Sequence, residues 1–346
     1  MVPVLVIAAI ALMVLVTPMV RWLAVKNGVM DRPTGGRKIH QKATPLWGGL
    51  ATGGVIIAGL FLLLPFTGGK ELRAEQLIGF VIALAVLIVG GMLDDRFQLR
   101  PAVQFLFPLG ASLIVVLSGS GIDLVTNPLG GSPISLQWVQ WGGLSLPGDA
   151  ITIVWLLTVT YAMKFLDGLD GLVAGMTVIG AVLIAGLASS PAYFQPLIAC
   201  IALLVAAAHL GFLPYNREGS IFLGEAGSTI AGFSLAVLAV ISGAKLATAA
   251  TALAVPLVDI VLVVLGRLIA GASPFKGDAT HLHFRLLHAG LAPWTAVRLI
   301  WGIALVFGLV ALTLQTRGKI FLFTGLIVLI CVISLLAWNK RRNKNT

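Results

Sequence analysis

The chain has 346 residues, of which 58% are hydrophobic and only 10% are charged, and its mean hydropathy is +1.03. A soluble domain carries about 25% charged residues, so the composition excludes an ordinary soluble enzyme and predicts an integral membrane protein. The formal net charge of +10 is concentrated in loops between apolar runs, and nothing in the chain predicts a nucleic-acid partner.

Apolar runs recur from one end of the chain to the other, and each is long enough to cross a hydrocarbon core of about 30 Å. We expect an all-α, polytopic transmembrane helical bundle with about eleven spans. They are 2–24, 47–65, 76–93, 101–118, 149–166, 171–189, 195–213, 228–243, 246–270, 292–315 and 319–338. The loops are too short to fold alone, so residues 1–346 are expected to form one membrane domain with a basic tail at 339–346.

The charged residues predict the orientation of the bundle. The loops after the odd-numbered spans, with the tail, hold 18 of the lysines and arginines, whereas the other side holds 5. Because basic loops remain in the cytoplasm, the N-terminus is expected outside and the C-terminus in the cytoplasm. Most acidic residues also fall on the cytoplasmic side, and Asp259 is the main carboxylate inside a span. This distribution predicts a site at the cytoplasmic face and not a path across the membrane.

The loop at 30–51 reads MDRPTGGRKIHQKATPLWGGLA and follows the first span. One interpretation is a basic loop that contacts anionic lipid. However, Asp31, Arg37, Lys38 and His40 form a more patterned set than bulk charge requires.

Two adjacent carboxylates, Asp94 and Asp95, stand at the inner end of the third span, in GGMLDDRFQLRP. Adjacent carboxylates raise each other's pKa unless a cation lies nearby, and Mg²⁺ prefers carboxylate and phosphate oxygens. The alternative is a solvated helix end paired with Arg96 and Arg100.

A second pair of carboxylates occurs after the fifth span, in KFLDGLDGL at 164–172. Asp167 and Asp170 would share one face if this segment were helical, and the glycines beside them leave room for a ligand. An alternative role for Asp170 is to cap the sixth span, which leaves Asp167 unexplained.

Glu225 stands among small residues in SIFLGEAGST at 220–229, directly before the eighth span. A helix N-terminus after such a turn can hold phosphate, although a carboxylate that merely caps the helix is also common.

Two histidines follow the ninth span, in GDATHLHFRLLHAGL at 277–291. No cysteine accompanies His281 and His283, which disfavours zinc. With Arg285 nearby, contact with a diphosphate is the better interpretation, and a solvated basic loop is the alternative.

Together the five motifs place at least four carboxylates, with His, Arg and Lys, at the boundary of water and lipid. This set suits Mg²⁺-assisted phosphoryl transfer, in which cations neutralise phosphate oxygens during in-line attack. The location implies one polar substrate from the cytosol and one substrate that resides in the bilayer.

In this order and spacing the motifs resemble those of the bacterial polyprenyl-phosphate N-acetylhexosamine-1-phosphate transferases, over about residues 27–290. The matching stretches are DRPTGGRKIHQKATPLWGG, GMLDD, FLDGLDGLVAG, IFLGEAGST and HLHFRLL. The resemblance implies transfer of a sugar-1-phosphate from a UDP-HexNAc to undecaprenyl phosphate, with release of UMP. It also implies Mg²⁺ or Mn²⁺ as cofactor, a bacterial cytoplasmic (inner) membrane location with contact to membrane lipid, and a homodimer as one arrangement.

The resemblance further implies a role for each residue of the predicted site. The catalytic set is Asp94, Asp95, Asp167 and Asp170. The metal ligands come from Asp94, Asp95, Asp167 and Glu225. The substrate-binding set is Lys38, His40, Lys164, Asn216, His281, His283 and Arg285.

Three positions depart from the pattern of the family that the chain resembles. Lys164 stands where Asn is usual, Glu225 where Asp is usual, and Phe284 where one branch carries His. These changes fit either a divergent active subgroup or an impaired homologue. The RKIH and HLH stretches favour the branch that uses UDP-GlcNAc, with the phospho-MurNAc-pentapeptide transferases of peptidoglycan synthesis as the alternative. A secondary transporter is the alternative from another class.

Overall fold

The computed structural model of the protein describes residues 2–33, 42–69, 71–127, 130–217, 219–243, 246–269, 271 and 280–342. Lys38 and His40 of the predicted site lie outside these residues. The α-helices are α1 Val2–Lys26, α2 Gly48–Leu63, α3 Ala74–Phe97, α4 Pro101–Leu117, α5 Gly148–Leu166, α6 Leu172–Ala188, α7 Pro196–Arg217, α8 Gly224–Ile241, α9 Leu246–Ala252, α10 Ala254–Ile269, α11 Leu282–His288, α12 Pro293–Thr313 and α13 Thr316–Arg342. The strands are β1 Met30–Asp31, β2 Thr44–Pro45, β3 Leu124–Val125, β4 Ile134–Ser135, β5 Gln137–Trp141 and β6 Leu144–Pro147.

The helices confirm a polytopic, mainly helical membrane protein. Within the described residues, eight helices are long and apolar enough to cross a membrane: α1, α2, α3, α5, α7, α8, α12 and α13. Two more, α4 and α6, are apolar but shorter. Ten of the eleven expected spans therefore coincide with one helix each.

The expected continuous span at 246–270 is wrong, because the structure divides it into α9 and α10 at Leu253. Pro256 lies in the first turn of α10. A proline lacks the N–H of the helical hydrogen bond, and its ring clashes with the carbonyl four residues earlier. That carbonyl belongs to Ala252, the last residue of α9, so the helix is interrupted directly after this residue.

The fold is not entirely α-helical, since the segment at 119–148 contains two antiparallel hairpins, β3–β4 and β5–β6. In the second hairpin Trp141 pairs with Leu144 across Gly142 and Gly143. Both glycines have positive φ, 55° and 85°, as the tight turn of a twisted hairpin requires. Aromatic and β-branched residues favour the pleated conformation of the preceding strand.

Helix α8 is the centre of the bundle, and it is buried over almost its whole length. It packs against α2, α3, α5 and α6. Small residues allow this approach: a Cβ on Gly91 of α3 would lie 2.2 Å from the backbone nitrogen of Ala226, and a Cβ on Gly49 of α2 would lie 2.2 Å from that of Gly227. Close packing of this kind is typical of membrane helices, and here it fixes the first turn of α8, which carries Glu225.

Candidate active site

The end of α3 meets the beginning of α8 through two of the predicted carboxylates. The backbone N–H of Glu225 donates to Oδ1 of Asp95 at 3.0 Å. Gly224 has φ +70°, and a Cβ there would lie 2.4 Å from Oδ2 of Asp95, so glycine is required on both counts. Oδ2 of Asp95 is buried and has no hydrogen-bond partner in the described part of the chain. A buried carboxylate oxygen without a donor is costly, which indicates that a ligand or cation completes this site.

Asp94, the other member of the pair, is held by α4. Its Oδ1 accepts hydrogen bonds from the backbone N–H of Leu99 at 2.9 Å and from Nε2 of Gln104 at 2.7 Å. Oε1 of Gln104 accepts a hydrogen bond from Nζ of Lys164 at 3.2 Å. Gln104 therefore links the DD pair to α5, a connection that the sequence analysis missed.

Lys164 and Glu225, two of the three positions that the resemblance marks as departures, contact each other. Nζ of Lys164 lies 2.6 Å from Oε1 of Glu225, and each side chain is 16% exposed. The same ammonium lies 5.3 Å from the ring centroid of Tyr161, within cation–π range. The departures thus form one ion pair between the end of α5 and the beginning of α8.

Asp167 and Asp170 lie in a non-helical turn between α5 and α6, so the shared helical face that was considered for them does not exist. Asp170 does not cap α6 either, because the residue at the N-cap position is Gly171, whose φ is 77°. Enclosure by protein atoms, and then repulsion from Glu225 and Asp170, raise the pKa of Asp167 to about 7. Asp167 is nevertheless exposed to solvent, so an entering cation can neutralise this repulsion.

Asn216, near the end of α7, is buried and fixes this turn. Its Oδ1 accepts a hydrogen bond from the N–H of Gly171 at 2.8 Å, and its Nδ2 donates to the carbonyl of Ile221 at 3.3 Å. Both polar atoms of the amide therefore bind backbone, which gives Asn216 a positioning role. The predicted contact with the nucleotide stays a prediction.

The histidine motif begins at His281 and continues into α11, which a carboxylate from α10 holds in place. Nδ1 of His281 lies 2.8 Å from Oδ2 of Asp259, and the N–H of Leu282 donates to Oδ1 of Asp259 at 2.7 Å. Asp259 is only 4% exposed. In the sequence Asp259 is only a carboxylate inside a span, and nothing there indicates this role at the site.

His283 packs on the DGLDG turn, and it is fully buried. A Cβ on Gly168 would lie 2.2 Å from Nε2 of His283, so the glycine makes room for the ring. Burial lowers the pKa of His283 to about 4, which keeps the imidazole neutral. Its ring stacks on that of His281 with centroids 5.9 Å apart. Arg285, one helical turn into α11, is half-buried, and its Nε donates to the carbonyl of Thr280.

A small pocket opens beside these carboxylates, between α3, α4 and α8. Its interior is about 10 Å³, room for one water-sized group. Asp94, Gln104, Glu225 and Thr229 form its polar part. Leu87, Phe107 and Pro108 are among the residues of its apolar part. The acidic cluster is therefore continuous with an apolar wall.

The donor set fits a hard divalent cation. Asp94, Asp95, Asp167 and Glu225 supply only oxygen ligands, which Mg²⁺ prefers, and Asp95 offers a buried oxygen without a partner. Among the described residues, however, no three His, Cys, Asp or Glu are already gathered closely enough to hold an ion. Glu225 is directed toward Lys164 instead.

Comparison with known proteins identifies the family. The model of glycosyl transferase family 4 matches residues 77–243. A Bacillus subtilis (strain 168) protein, named as a probable undecaprenyl-phosphate N-acetylglucosaminyl 1-phosphate transferase, is 30% identical over 338 residues, which is 95% of this chain and 90% of the relative. The chain belongs to glycosyl transferase family 4. The resemblance that the motifs indicated is thereby confirmed, and the protein is a sugar-phosphate transferase.

Two further relatives are similar over most of this chain. A decaprenyl-phosphate N-acetylglucosaminephosphotransferase of Mycobacterium tuberculosis (strain ATCC 25618 / H37Rv) is 30% identical over 93% of this chain and 85% of the relative. An undecaprenyl-phosphate alpha-N-acetylglucosaminyl 1-phosphate transferase of Escherichia coli (strain K12) is 28% identical over 81% of this chain and 75% of the relative. The region matched by the family model contains the DD pair, the DGLDG turn and Glu225, and it ends before Asp259 and His281.

Proposed function

We propose that this family 4 enzyme transfers N-acetylglucosamine-1-phosphate, or a related HexNAc-1-phosphate, from a UDP-sugar to undecaprenyl phosphate. The products would be a polyprenyl-diphosphate sugar and UMP. The names of the three relatives, which include a polyprenyl phosphate and N-acetylglucosamine, support this acceptor and this sugar. They favour it over the phospho-MurNAc-pentapeptide transfer of peptidoglycan synthesis. Family membership removes the transporter alternative.

One observation carries the proposal: carboxylates from α3, the DGLDG turn and α8 lie near one another, and two of them, Asp94 and Glu225, line a small pocket with an apolar wall. Asp94 and Asp95 come from α3, Asp167 from the end of α5, and Glu225 from α8. Polar carboxylate surface and apolar helix surface therefore meet at this place, and the proposal needs both, since one substrate carries phosphates and the other an isoprenoid chain.

The acidic cluster suits Mg²⁺, or Mn²⁺, held by Asp94, Asp95, Asp167 and Glu225. When bound, the ion would neutralise charge on the phosphate oxygens. Lys164 would supply a further positive charge beside these oxygens. His281 and Arg285 would face the diphosphate, and His283 would keep the DGLDG turn in position. The acceptor, a phosphate monoester with a second pKa of about 6, is largely deprotonated at neutral pH and does not require a carboxylate base.

The excess of basic residues on one side supports a site at the cytoplasmic face of a bacterial inner membrane, where UDP-sugars are available. In that location the reaction would be the first membrane step in the synthesis of a cell-envelope polysaccharide. A homodimer stays a prediction from resemblance.

The test is UMP release by protein purified in detergent. Undecaprenyl phosphate is supplied with UDP-GlcNAc, UDP-GalNAc or UDP-MurNAc-pentapeptide, in Mg²⁺ or in EDTA. We expect release that requires the lipid, the cation and an N-acetylhexosamine donor. Folded protein that releases no UMP with any donor would overturn the proposal and favour an impaired homologue.

A further inference from the structure

Lys164 and Glu225 form an ion pair, and this pair affects how the acidic cluster can bind a cation. The two side chains have opposite charges and together carry no net charge. The carboxylate of Glu225 lies 2.6 Å from the ammonium of Lys164.

The ammonium of Lys164 is held from more than one side. Nζ donates to Oε1 of Gln104 at 3.2 Å, while Nε2 of Gln104 donates to Asp94. The ring of Tyr161 lies on a further side of the ammonium. These contacts fix a positive charge between Asp94 of α3 and Glu225 of α8. Each of the two side chains is only 16% exposed, so salt and solvent screen the attraction between their charges less than at an open surface.

A divalent cation that uses Glu225 must compete with this ammonium. Two cations close to one partly buried carboxylate repel each other strongly. The absence of a preformed three-ligand cluster among the described residues agrees with this competition. Lys164 would leave Glu225 when another anion attracts it, and a diphosphate is such an anion.

We propose that Lys164 is a built-in counter-ion that occupies Glu225 until a substrate diphosphate attracts it, so that cation binding depends on the substrate. This inference rests on the proposed function only in assuming that the acidic cluster receives a divalent cation. By linkage, the cation must strengthen diphosphate binding by the same factor as the diphosphate strengthens cation binding.

The experiment measures Mn²⁺ binding by electron paramagnetic resonance, on protein in detergent that performs no reaction. Titrations are made without nucleotide and with UDP as the diphosphate probe, and Mn²⁺ bound by UDP alone is subtracted. The variants are Lys164→Asn, Lys164→Arg and the double variant Lys164→Asn with Glu225→Asp. The matched control is Lys26→Met, which removes an exposed lysine at the end of α1.

We expect the unmodified protein to bind Mn²⁺ weakly alone and at least about tenfold more tightly with UDP, as the loss of one nearby charge implies. Lys164→Asn and the double variant should bind Mn²⁺ about tenfold more tightly without UDP and should lose most of the UDP effect. Lys26→Met should behave like the unmodified protein, and Lys164→Arg, which keeps the positive charge, should not gain Mn²⁺ affinity in the absence of UDP. Thermal unfolding curves confirm that each variant is folded.

Equal Mn²⁺ affinity of the unmodified protein, Lys164→Asn and the double variant without UDP would overturn the inference. Tight binding by the unmodified protein without UDP would overturn it as well. Because no turnover is measured, these results are independent of UMP release. A protein that shows the expected Mn²⁺ affinities but releases no UMP would contradict the proposed function and leave the counter-ion role supported.

Discussion

The two ends of the helical bundle use their carboxylates differently. At the end that contains β5 and β6, Glu71 accepts a hydrogen bond from the N–H of Leu197 at 2.9 Å, and Asp149 accepts one from the N–H of Ser145 at 2.6 Å. Glu71 joins two segments that are far apart in sequence, whereas Asp149 holds the strand β6 directly before its own helix. At the other end, carboxylates from α3, the DGLDG turn and α8 lie near one another, and Oδ2 of Asp95 has no donor in the described part of the chain.

The two ends differ in one respect among the described residues: the predicted site contains a buried carboxylate oxygen without a donor, whereas Glu71 and Asp149 each bind a backbone N–H. Asp259 belongs to the same end as the acidic cluster, yet both of its oxygens are occupied, by His281 and by the N–H of Leu282. Like Asp149, Asp259 accepts a hydrogen bond from a backbone N–H. It differs from Asp149 because the segment that it holds, at His281, belongs to the predicted site.

The largest expected effect follows from Asp95→Asn. This change removes a charge that the cluster needs for a cation, so transfer should fall by at least about 100-fold, the scale of losing a main electrostatic group. Stability should be unchanged or higher, because a buried unpaired oxygen is replaced by a neutral group. UMP release and thermal unfolding measure the two quantities. Asp123→Asn, in the loop before β3, is the matched control, and a similar loss of transfer in that variant would remove the distinction between the two ends.

A smaller effect is expected from Gly168→Ala. The new Cβ would lie 2.2 Å from Nε2 of His283, so α11 must move away from the DGLDG turn. Transfer should fall by roughly tenfold or more, since misplacement by about 1 Å can cost up to about 100-fold. Gly54→Ala is the control, because a Cβ at Gly54 contacts nothing within 4 Å and alanine favours a helix. Unchanged kinetics in Gly168→Ala would contradict this packing.

The comparison of Asp259 with Asp149 gives a third prediction. Each Asp→Asn change weakens a hydrogen bond to a charged group, worth about 1.5–3 kcal/mol, so both variants should unfold at lower temperature. Only Asp259→Asn should also reduce transfer, by about tenfold, because it releases His281. Measuring both kcat/KM and the melting temperature of each variant separates a loss of activity from a loss of stability. Equal loss of activity in both would indicate that Asp259 acts through stability alone.

The smallest effect concerns pH. The pKa of Asp167 is raised to about 7 in the folded protein from an ordinary 3.8, so the folded state binds the proton more tightly than the unfolded state. Between these two pKa values, the free energy of unfolding therefore falls as pH rises when no cation is bound. Mg²⁺ should flatten this slope, and its affinity should increase between pH 6 and 8. Melting curves across pH, with and without Mg²⁺, measure both effects, and Asp167→Asn should remove this part of the slope.

Much of the molecule follows from the sequence. Apolar length predicts the helices, and the acidic motifs predict which loops meet, as the contacts of Asp95 with Glu225 and of Gly168 with His283 show. Two misses had local signals that were available. Pro256 marks the break between α9 and α10, and the Gly142-Gly143 pair after QWVQW marks the hairpin.

Other features had no local signal. Gln104 lies on α4 and reaches both Asp94 and Lys164, and Asp259 reaches across a loop to His281. Such partners depend on how each helix is rotated about its axis in the packed bundle, and apolar periodicity in a mostly apolar helix hardly defines that rotation. For the same reason Lys164 and Glu225 are two unrelated positions in the sequence, whereas in the packed bundle they form one ion pair.

The contact between α5 and α8 also limits how this enzyme can have diverged and how it can be recombined. A change at either position alone leaves its charged partner without a counter-ion, so substitutions at the two positions are expected to occur together. A chimera that keeps α5 of this chain but takes an α8 with a different residue at position 225 would leave Lys164 unmatched. Exchanging both helices together avoids it.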